Sequence, residues 1–188
     1  MEVIEKSRKF RTKKFSGTAR RLHQLGISAN MMTSLSLLFG LTAIFFLFSN
    51  YVLFVLFAIL HLLADGLDGL IARISKTSEF GKYFDLSTDS LITFLILIKL
   101  GWYLQDYYPY FVAGLFLVTV MIHLLSKAKS PIYFLRTTYL GTLIIILFPL
   151  MPTKITLLIG SYFIAGAIVI YSLVKEISWL VNKRNRFK

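Results

Sequence analysis

The chain has 188 residues, of which 56% are hydrophobic, and it contains no cysteine, which excludes disulfide bonds and thiolate metal sites. The formal net charge is +12 at pH 7. The Lys and Arg residues lie mainly at the termini and in alternate loops, as membrane topology requires, and we therefore expect no nucleic-acid partner. Several apolar runs reach the roughly 20 residues that a helix needs to cross a bilayer, which predicts an integral membrane protein.

The N-terminal segment is predicted to lie on the cytoplasmic surface of the membrane. Residues 1–17 are basic with scattered apolar side chains, and no signal peptide is visible before the first apolar run. Ala19, Leu22 and Leu25 then recur at a spacing of three, opposite basic residues, which is typical of a short amphipathic helix in the interface. We assign residues 1–28 to this basic tail and interfacial helix.

Six apolar segments predict an all-α membrane domain of six transmembrane helices over residues 29–175, followed by a basic cytoplasmic tail at 176–188. Of the 21 Lys and Arg residues, all except Lys99 and Lys154 lie in the termini or in the regions between the second and third and between the fourth and fifth segments. By the positive-inside rule, both termini and these two regions face the cytoplasm. The predicted spans are 31–48, 51–73, 82–103, 108–125, 132–150 and 155–174.

Five of the nine acidic residues, four of them aspartates, fall within residues 65–89, where two predicted spans meet the cytoplasm. On a helix, Asp65 and Asp68 share one face, and Asp85 and Asp89, four residues apart, form a single stripe on the next helix. Carboxylates near hydrocarbon are costly unless a cation compensates for their charge. The two antiparallel helix ends can bring the four carboxylates together, which predicts a metal site.

Oxygen ligands without histidine or cysteine suit hard cations such as Mg²⁺, Mn²⁺ or Ca²⁺. Four carboxylates exceed the need of one divalent ion, and two ions in one site are a recurrent arrangement for phosphoryl transfer. Gly69, Ala72 and Gly81 on the acidic faces would leave room for a bulky group beside the metals. Arg73 provides a planar guanidinium suited to a phosphate.

The complete pattern resembles the signature of the CDP-alcohol phosphotransferase (CDP-alcohol phosphatidyltransferase) family. The resemblance covers roughly residues 18–175, and it implies a membrane enzyme that transfers a substituted phosphate from a CDP-linked donor to an alcohol with release of CMP. It also implies a homodimer. The matching residues are Asp65-x2-Asp68-Gly69-x2-Ala72-Arg73-x7-Gly81-x3-Asp85-x3-Asp89.

The resemblance implies that the four aspartates bind two divalent cations, Mg²⁺ or Mn²⁺, and that Asp89 is also the base that deprotonates the attacking hydroxyl. Residues 28–33 resemble the family's Pro-Asn-x-x-Thr segment near the nucleotide, with Ala29 in place of the proline. The resemblance implies a CDP pocket that includes Asn30, Thr33, Gly69, Ala72, Arg73 and Gly81.

For the acceptor we expect a small anionic alcohol. Arg136 lies in an apolar helix and needs a partner, and with Lys127 and Lys129 on the same predicted side it could hold the acceptor's phosphate. The positive-inside rule alone also accounts for the two lysines. The donor would be a CDP-linked phosphatidyl or archaetidyl lipid, and the acceptor glycerol phosphate, inositol phosphate or serine.

Other functions remain open at this stage. A diacylglycerol acceptor with CDP-choline or CDP-ethanolamine would have no use for the basic cluster. A transporter would place carboxylates near the bilayer midplane, and a membrane prenyltransferase would carry two separate Asp-rich motifs in a chain with more spans. Release of CMP from a CDP-linked donor would distinguish the phosphotransferase from the transporter and the prenyltransferase.

Overall fold

The structure is a computed structural model that describes residues 17–75, 78–133, 136–150 and 153–185. Within these ranges the regular secondary structure is helical throughout, which agrees with the predicted all-α class. The helices are α1 at 17–24, α2 at Ala29–Phe46, α3 at Tyr51–Ser75, α4 at Glu79–Leu104, α5 at Tyr108–Leu125, α6 at Arg136–Ile146 and α7 at Lys154–Asn185.

Two of these helices, α2 and α4, begin at serine caps. The Oγ of Ser28 accepts a hydrogen bond from the N–H of Met31 at 3.2 Å, and the Oγ of Ser78 accepts one from the N–H of Gly81 at 3.0 Å. Each cap satisfies a backbone donor that has no partner inside its helix, an interaction that contributes about 1 kcal/mol. The caps therefore fix the ends of α2 and α4 at which the predicted site lies.

Four of the described helices, α2, α3, α5 and α7, are long and apolar enough to cross a membrane. Helix α4 has 26 residues but is not among the four, and α6 has only 11. The predicted spans at 82–103 and 132–150 correspond to α4 and α6, so six crossings stay a prediction. Helix α7 has 32 residues, or about 48 Å, and continues to Asn185 through the start of the predicted tail.

The helices pack around one large apolar core. Helix α2 lies along α3, α4 packs against α2 and α5, and α5 packs against α7. Helix α6 contacts α7, α4 and α3. The largest fully buried side chains include Phe54, Leu97, Phe116 and Tyr162, which come from four different helices. Large apolar side chains also remain exposed on the outer faces, among them Phe45 and Val52.

Polar contacts join the helices at the end of the bundle opposite the aspartates. Lys99 of α4 donates hydrogen bonds to the carbonyls of Ile44 and Phe45 in the last turn of α2, where cationic side chains are favourable. The hydroxyl of Tyr162 and the N–H of Tyr108 donate to the carboxylate of Asp106. These bonds hold the pKa of Asp106 below its usual value and tie the α4–α5 turn to α7.

The short helix α1 packs on the start of α2 and the second half of α3, near the aspartates. Ala19 is fully buried in a small cluster with Met32, Ala64 and Ile71, whereas Leu25 is exposed. The predicted apolar stripe thus contacts the protein at one end and is exposed at the other. Whether α1 lies in the membrane interface stays a prediction, and residues 1–16 lie outside the described part of the chain.

Candidate active site

The ends of α3 and α4 bring three of the four predicted aspartates together. One carboxylate oxygen from each of Asp65, Asp68 and Asp85 lies within 4.8 Å of the other two. Asp68 is buried, and Asp65 and Asp85 are half-buried. The spacing of three residues predicts that Asp65 and Asp68 share one face of α3. Three converging carboxylates, with only oxygen donors, fit a hard divalent cation.

The fourth aspartate, Asp89, is held by Arg136, the first residue of α6. The Nη1 and Nη2 atoms of Arg136 donate to the two oxygens of Asp65 at 2.7 and 2.6 Å, and Nη1 also donates to Asp89. Arg136 is only 6% exposed, and its Nε has no hydrogen-bond partner among the described residues. The guanidinium is therefore a buried counterion shared by two carboxylates on different helices.

The start of α2 closes the site on a third side. The hydroxyl of Thr33 donates a 2.8 Å hydrogen bond to Oδ2 of Asp68, and both residues are buried. A methyl group added to Gly81 would lie 2.9 Å from Oδ1 of Asn30, so α2 and α4 approach each other closely there. The sequence predicted open space beside Gly81, whereas the structure places the Asn30 side chain against it.

The motif residues of the last turns of α3 form the outer edge of the site. Arg73 is exposed, and its Nη2 atom would lie 4.0 Å from a methyl group added to Gly69. Gly69 and Ala72 are half-buried. Among the described residues, no atom of another helix comes that close to a Gly69 methyl group. Within the described ranges, the surface beside Gly69 is therefore open, and its use as a ligand pocket stays a prediction.

The two lysines predicted to bind the acceptor lie in the turn that follows α5. Lys127 and Lys129 are exposed, and Lys127 and Ala128 have positive φ angles of 58° and 56°. No ion pair joins either lysine to the aspartates within the described ranges. The structure thus brings Arg136 into the carboxylate cluster and leaves the two lysines on the surface.

Sequence reasoning had identified Arg136 but not its partners. An arginine in an apolar helix signals a buried counter-charge, and the sequence suggests only a substrate phosphate for that role. The hydrogen bond between Thr33 and Asp68 has no signal in the sequence either, although both residues belong to the predicted site. The residues in these three contacts are separated in sequence by 71, 47 and 35 positions. Helical periodicity relates only residues of the same helix, so it could not predict them.

One end of the helix bundle combines groups that can bind a cation, compensate negative charge and bind an anion. The carboxylates of Asp65, Asp68 and Asp85 can hold a divalent cation, and a buried arginine offsets part of their negative charge. The open surface beside Gly69 and the exposed Arg73 can accept an anionic ligand. Such a site is suited to binding a metal-bound diphosphate.

Comparison with known proteins indicates a family for the chain. No curated protein matched the chain in a sequence comparison. The family model described as CDP-alcohol phosphatidyltransferase matches residues 26–181, a range that contains α2 to α6 and most of α7. Because the chain has long apolar helices and matches this family, it is an integral membrane protein. It belongs to the CDP-alcohol phosphatidyltransferase family, whose members are transferases of substituted phosphate groups.

Proposed function

We propose that the protein transfers a phosphatidyl or archaetidyl group from a CDP-linked lipid to a small polar alcohol and releases CMP. The observation that carries this proposal is the convergence of Asp65, Asp68 and Asp85 within 4.8 Å, beside the buried guanidinium of Arg136. These residues lie in the region that matches the family. Among acceptors we favour glycerol phosphate or inositol phosphate, with serine as the third choice.

Two divalent cations, Mg²⁺ or Mn²⁺, are the proposed cofactors. When bound, they would neutralise the diphosphate as its bond to CMP breaks. Asp65, Asp68 and Asp85 would hold the first cation, and Asp89 would complete the site of the second. The Thr33 hydroxyl bonds one oxygen of Asp68, and this contact would fix the orientation of that carboxylate.

Asp89 is the proposed general base. The acceptor oxygen would attack the phosphorus that carries the lipid group, its proton would pass to Asp89, and the bond between that phosphorus and the CMP oxygen would break. CMP would leave with the bonding electron pair. Arg136 bonds Oδ1 of Asp89 and would leave Oδ2 to receive the proton.

The cytidine diphosphate is proposed to bind between the start of α2 and the cytoplasmic ends of α3 and α4. The open surface beside Gly69 and the positive charge of Arg73, an exposed residue, support this location, because a diphosphate needs both space and positive charge. The apolar tails of the donor would stay in lipid. The proposed contacts are Asn30, Thr33, Gly69, Ala72, Arg73 and Gly81.

For the acceptor phosphate we propose Arg136, with help from Lys127 and Lys129. Both terminal nitrogens of Arg136 are bonded to carboxylates. Because Arg136 is also only 6% exposed, the phosphate would reach the guanidinium after a divalent cation has taken over Asp65. This order of binding would make acceptor affinity depend on the metal, whereas a diacylglycerol acceptor would make no use of these basic residues.

We also propose that the chain crosses the membrane six times, with both termini and the active site on the cytoplasmic side, and that it forms a homodimer. The charge distribution supports this orientation, since only Lys99 and Lys154 lie at the other face in a six-span topology. The homodimer rests on the family resemblance alone.

The test uses purified protein with CDP-diacylglycerol or CDP-archaeol, and glycerol 3-phosphate, inositol phosphate and serine as parallel acceptors. CMP release is measured with Mg²⁺, with Mn²⁺ and with a chelator. We expect metal-dependent CMP release with at least one acceptor. Reaction of diacylglycerol with CDP-choline alone would contradict the proposed donor and acceptor, and the absence of CMP release with every pair would contradict the transfer reaction.

Two variants complete this test. Arg136→Ala should weaken the apparent affinity for the best acceptor, and an unchanged affinity would contradict the proposed acceptor contact. Glu79→Gln removes an exposed carboxylate at the start of α4 and should retain the parent's rate. It is therefore the matched control for charge changes near the aspartates.

A further inference from the structure

A second buried polar cluster lies beside the site, where the α5–α6 connection crosses α7. Glu176 is fully buried, and its Oε1 accepts a 2.9 Å hydrogen bond from the hydroxyl of Ser130. Its Oε2 has no hydrogen-bond partner among the described residues. Burying a carboxyl group with so few partners is unfavourable. Neither the motif nor the proposed chemistry uses this residue.

The same face of α7 holds the connection at a second point. Ser172, four residues before Glu176 and therefore on the same helical face, accepts a 3.0 Å hydrogen bond from the N–H of Tyr133. Ser172 is 1% exposed. The rings of Tyr133 and Tyr171 also contact each other, with centroids 5.4 Å apart. Two adjacent turns of α7 thus fix residues 130–133.

The start of this segment is also held from α5. The Nδ1 atom of His123 lies 2.8 Å from the carbonyl oxygen of Ser130. The hydroxyl of Ser126 accepts hydrogen bonds from the N–H groups of Lys129 and Ser130. With Glu176 on the other side, Ser130 is bonded to both helices and is only 4% exposed. The position of the segment is therefore set by contacts outside the active site.

Arg136 follows Tyr133 by only three residues, so the path of the connection limits where its guanidinium can lie. We propose that Glu176 and Ser172 are positioning residues for the transfer reaction, because they hold residues 130–133 and so direct Arg136 onto Asp65 and Asp89. This inference rests on the proposed function and extends it to α7. Neither positioning residue needs to touch a substrate.

Substitutions at Glu176 and Ser172 distinguish the loss of the hydrogen bonds that hold residues 130–133 from the loss of the Glu176 carboxyl group. Glu176→Ala and Ser172→Ala remove the two attachments, whereas Glu176→Gln keeps an oxygen that can accept the hydrogen bond from Ser130. Ser178→Ala makes the same chemical change as Ser172→Ala at an exposed site on the same helix, and it serves as the matched control.

Kinetics of CMP release give the first measurement. We expect Glu176→Ala to lower kcat by roughly tenfold or more, because small misplacements of catalytic groups have large effects on rate. The KM for the CDP-linked donor should change less than twofold, since its proposed pocket lies on α2, α3 and α4. Glu176→Gln and Ser178→Ala should stay within about twofold of the parent. Equal damage from Glu176→Gln and Glu176→Ala would contradict a positioning role.

A double-mutant cycle shows whether the effect acts through the arginine. In an Arg136→Lys background, Glu176→Ala should reduce the residual rate less than twofold further, because the group that it positions is already altered. Independent, multiplicative losses would overturn the proposal. If Glu176→Ala does not fold, Ser172→Ala provides the same cycle.

Trypsin cleavage at Lys127 and Lys129 gives a measurement that needs no substrate. Both lysines are exposed in the turn before the held segment. Glu176→Ala or Ser172→Ala should accelerate cleavage there, at temperatures where the whole protein stays folded, and Ser178→Ala should not. Cleavage at the parent's rate in both loosened variants would overturn the proposal even if CMP is released. If the parent releases no CMP but the variants are cleaved faster, the proposed function fails and the attachment itself stands.

Discussion

Replacing Arg136 by glutamine tests whether the guanidinium lets the aspartates lie together when no divalent cation is bound. Arg136 is 6% exposed and bonds both oxygens of Asp65, at 2.6 and 2.7 Å, as well as Asp89. Breaking a buried ion pair by removing one partner costs about 3–5 kcal/mol. A glutamine amide can restore one hydrogen bond, worth about 1 kcal/mol. We therefore expect a net loss of about 2–4 kcal/mol in the free energy of unfolding.

The assay is thermal unfolding of detergent-purified protein, first with a chelator and then with Mg²⁺. For a chain of this size, 1 kcal/mol corresponds to about 2–4 °C in Tm, so the metal-free variant should unfold about 4–16 °C below the parent. Mg²⁺ should raise the Tm of Arg136→Gln more than that of the parent. The reason is that carboxylates without a competing guanidinium bind the cation more tightly, and tighter binding to the folded state stabilises it further.

The matched control is Arg20→Gln, which removes an exposed arginine from α1. A surface substitution of this kind changes stability by no more than about 0.5 kcal/mol. Two results would refute the reasoning: a chelated Arg136→Gln that unfolds within about 2 °C of the parent, or a Mg²⁺-induced rise in Tm that is no larger in the variant.

Three further substitutions address the metal site, the base and the helix contact. Asp68→Ala should abolish transfer at any Mg²⁺ or Mn²⁺ concentration, and near-normal CMP release would contradict a metal site there. Asp89→Asn should lower kcat at least ~100-fold, as loss of a general base does, with a much smaller effect on metal-dependent donor binding; normal turnover at neutral pH would place the base elsewhere. Gly81→Ala puts a methyl group 2.9 Å from Oδ1 of Asn30. It should therefore destabilise the protein by about 1–3 kcal/mol and raise the KM for the donor. A variant with unchanged Tm and KM would argue against tight contact between α2 and α4.

Features that depend on neighbours along the chain can be predicted from the amino-acid sequence. The helical spacing of Asp65 and Asp68 was enough to predict one shared face, and the apolar runs predicted the long helices. The breaks between the predicted spans at 48–51 and 103–108 also correspond to turns between helices, with Phe48 and Gln105 in the left-handed region at 71° and 54°. Each of these predictions rests on local geometry, which the sequence specifies directly.

Helix lengths were less well predicted. Helix α6 spans 11 residues, against a predicted apolar segment of 132–150, and α7 continues to Asn185 through the predicted tail. Hydropathy measures preference for lipid, whereas a helix ends where its backbone hydrogen bonds end. The two boundaries therefore need not coincide.

Which charged side chains meet depends on how the helices pack against one another. The sequence grouped four aspartates, but the fold places three of them around a candidate cation site and bonds Asp89 to Arg136, 47 residues away. It likewise brings Ser130 to Glu176, 46 residues away, in a contact that no periodic pattern indicated. Such pairings depend on how α6 and α7 pack against the other helices, because a buried charge or carboxyl group is stable only where the whole fold provides its partner.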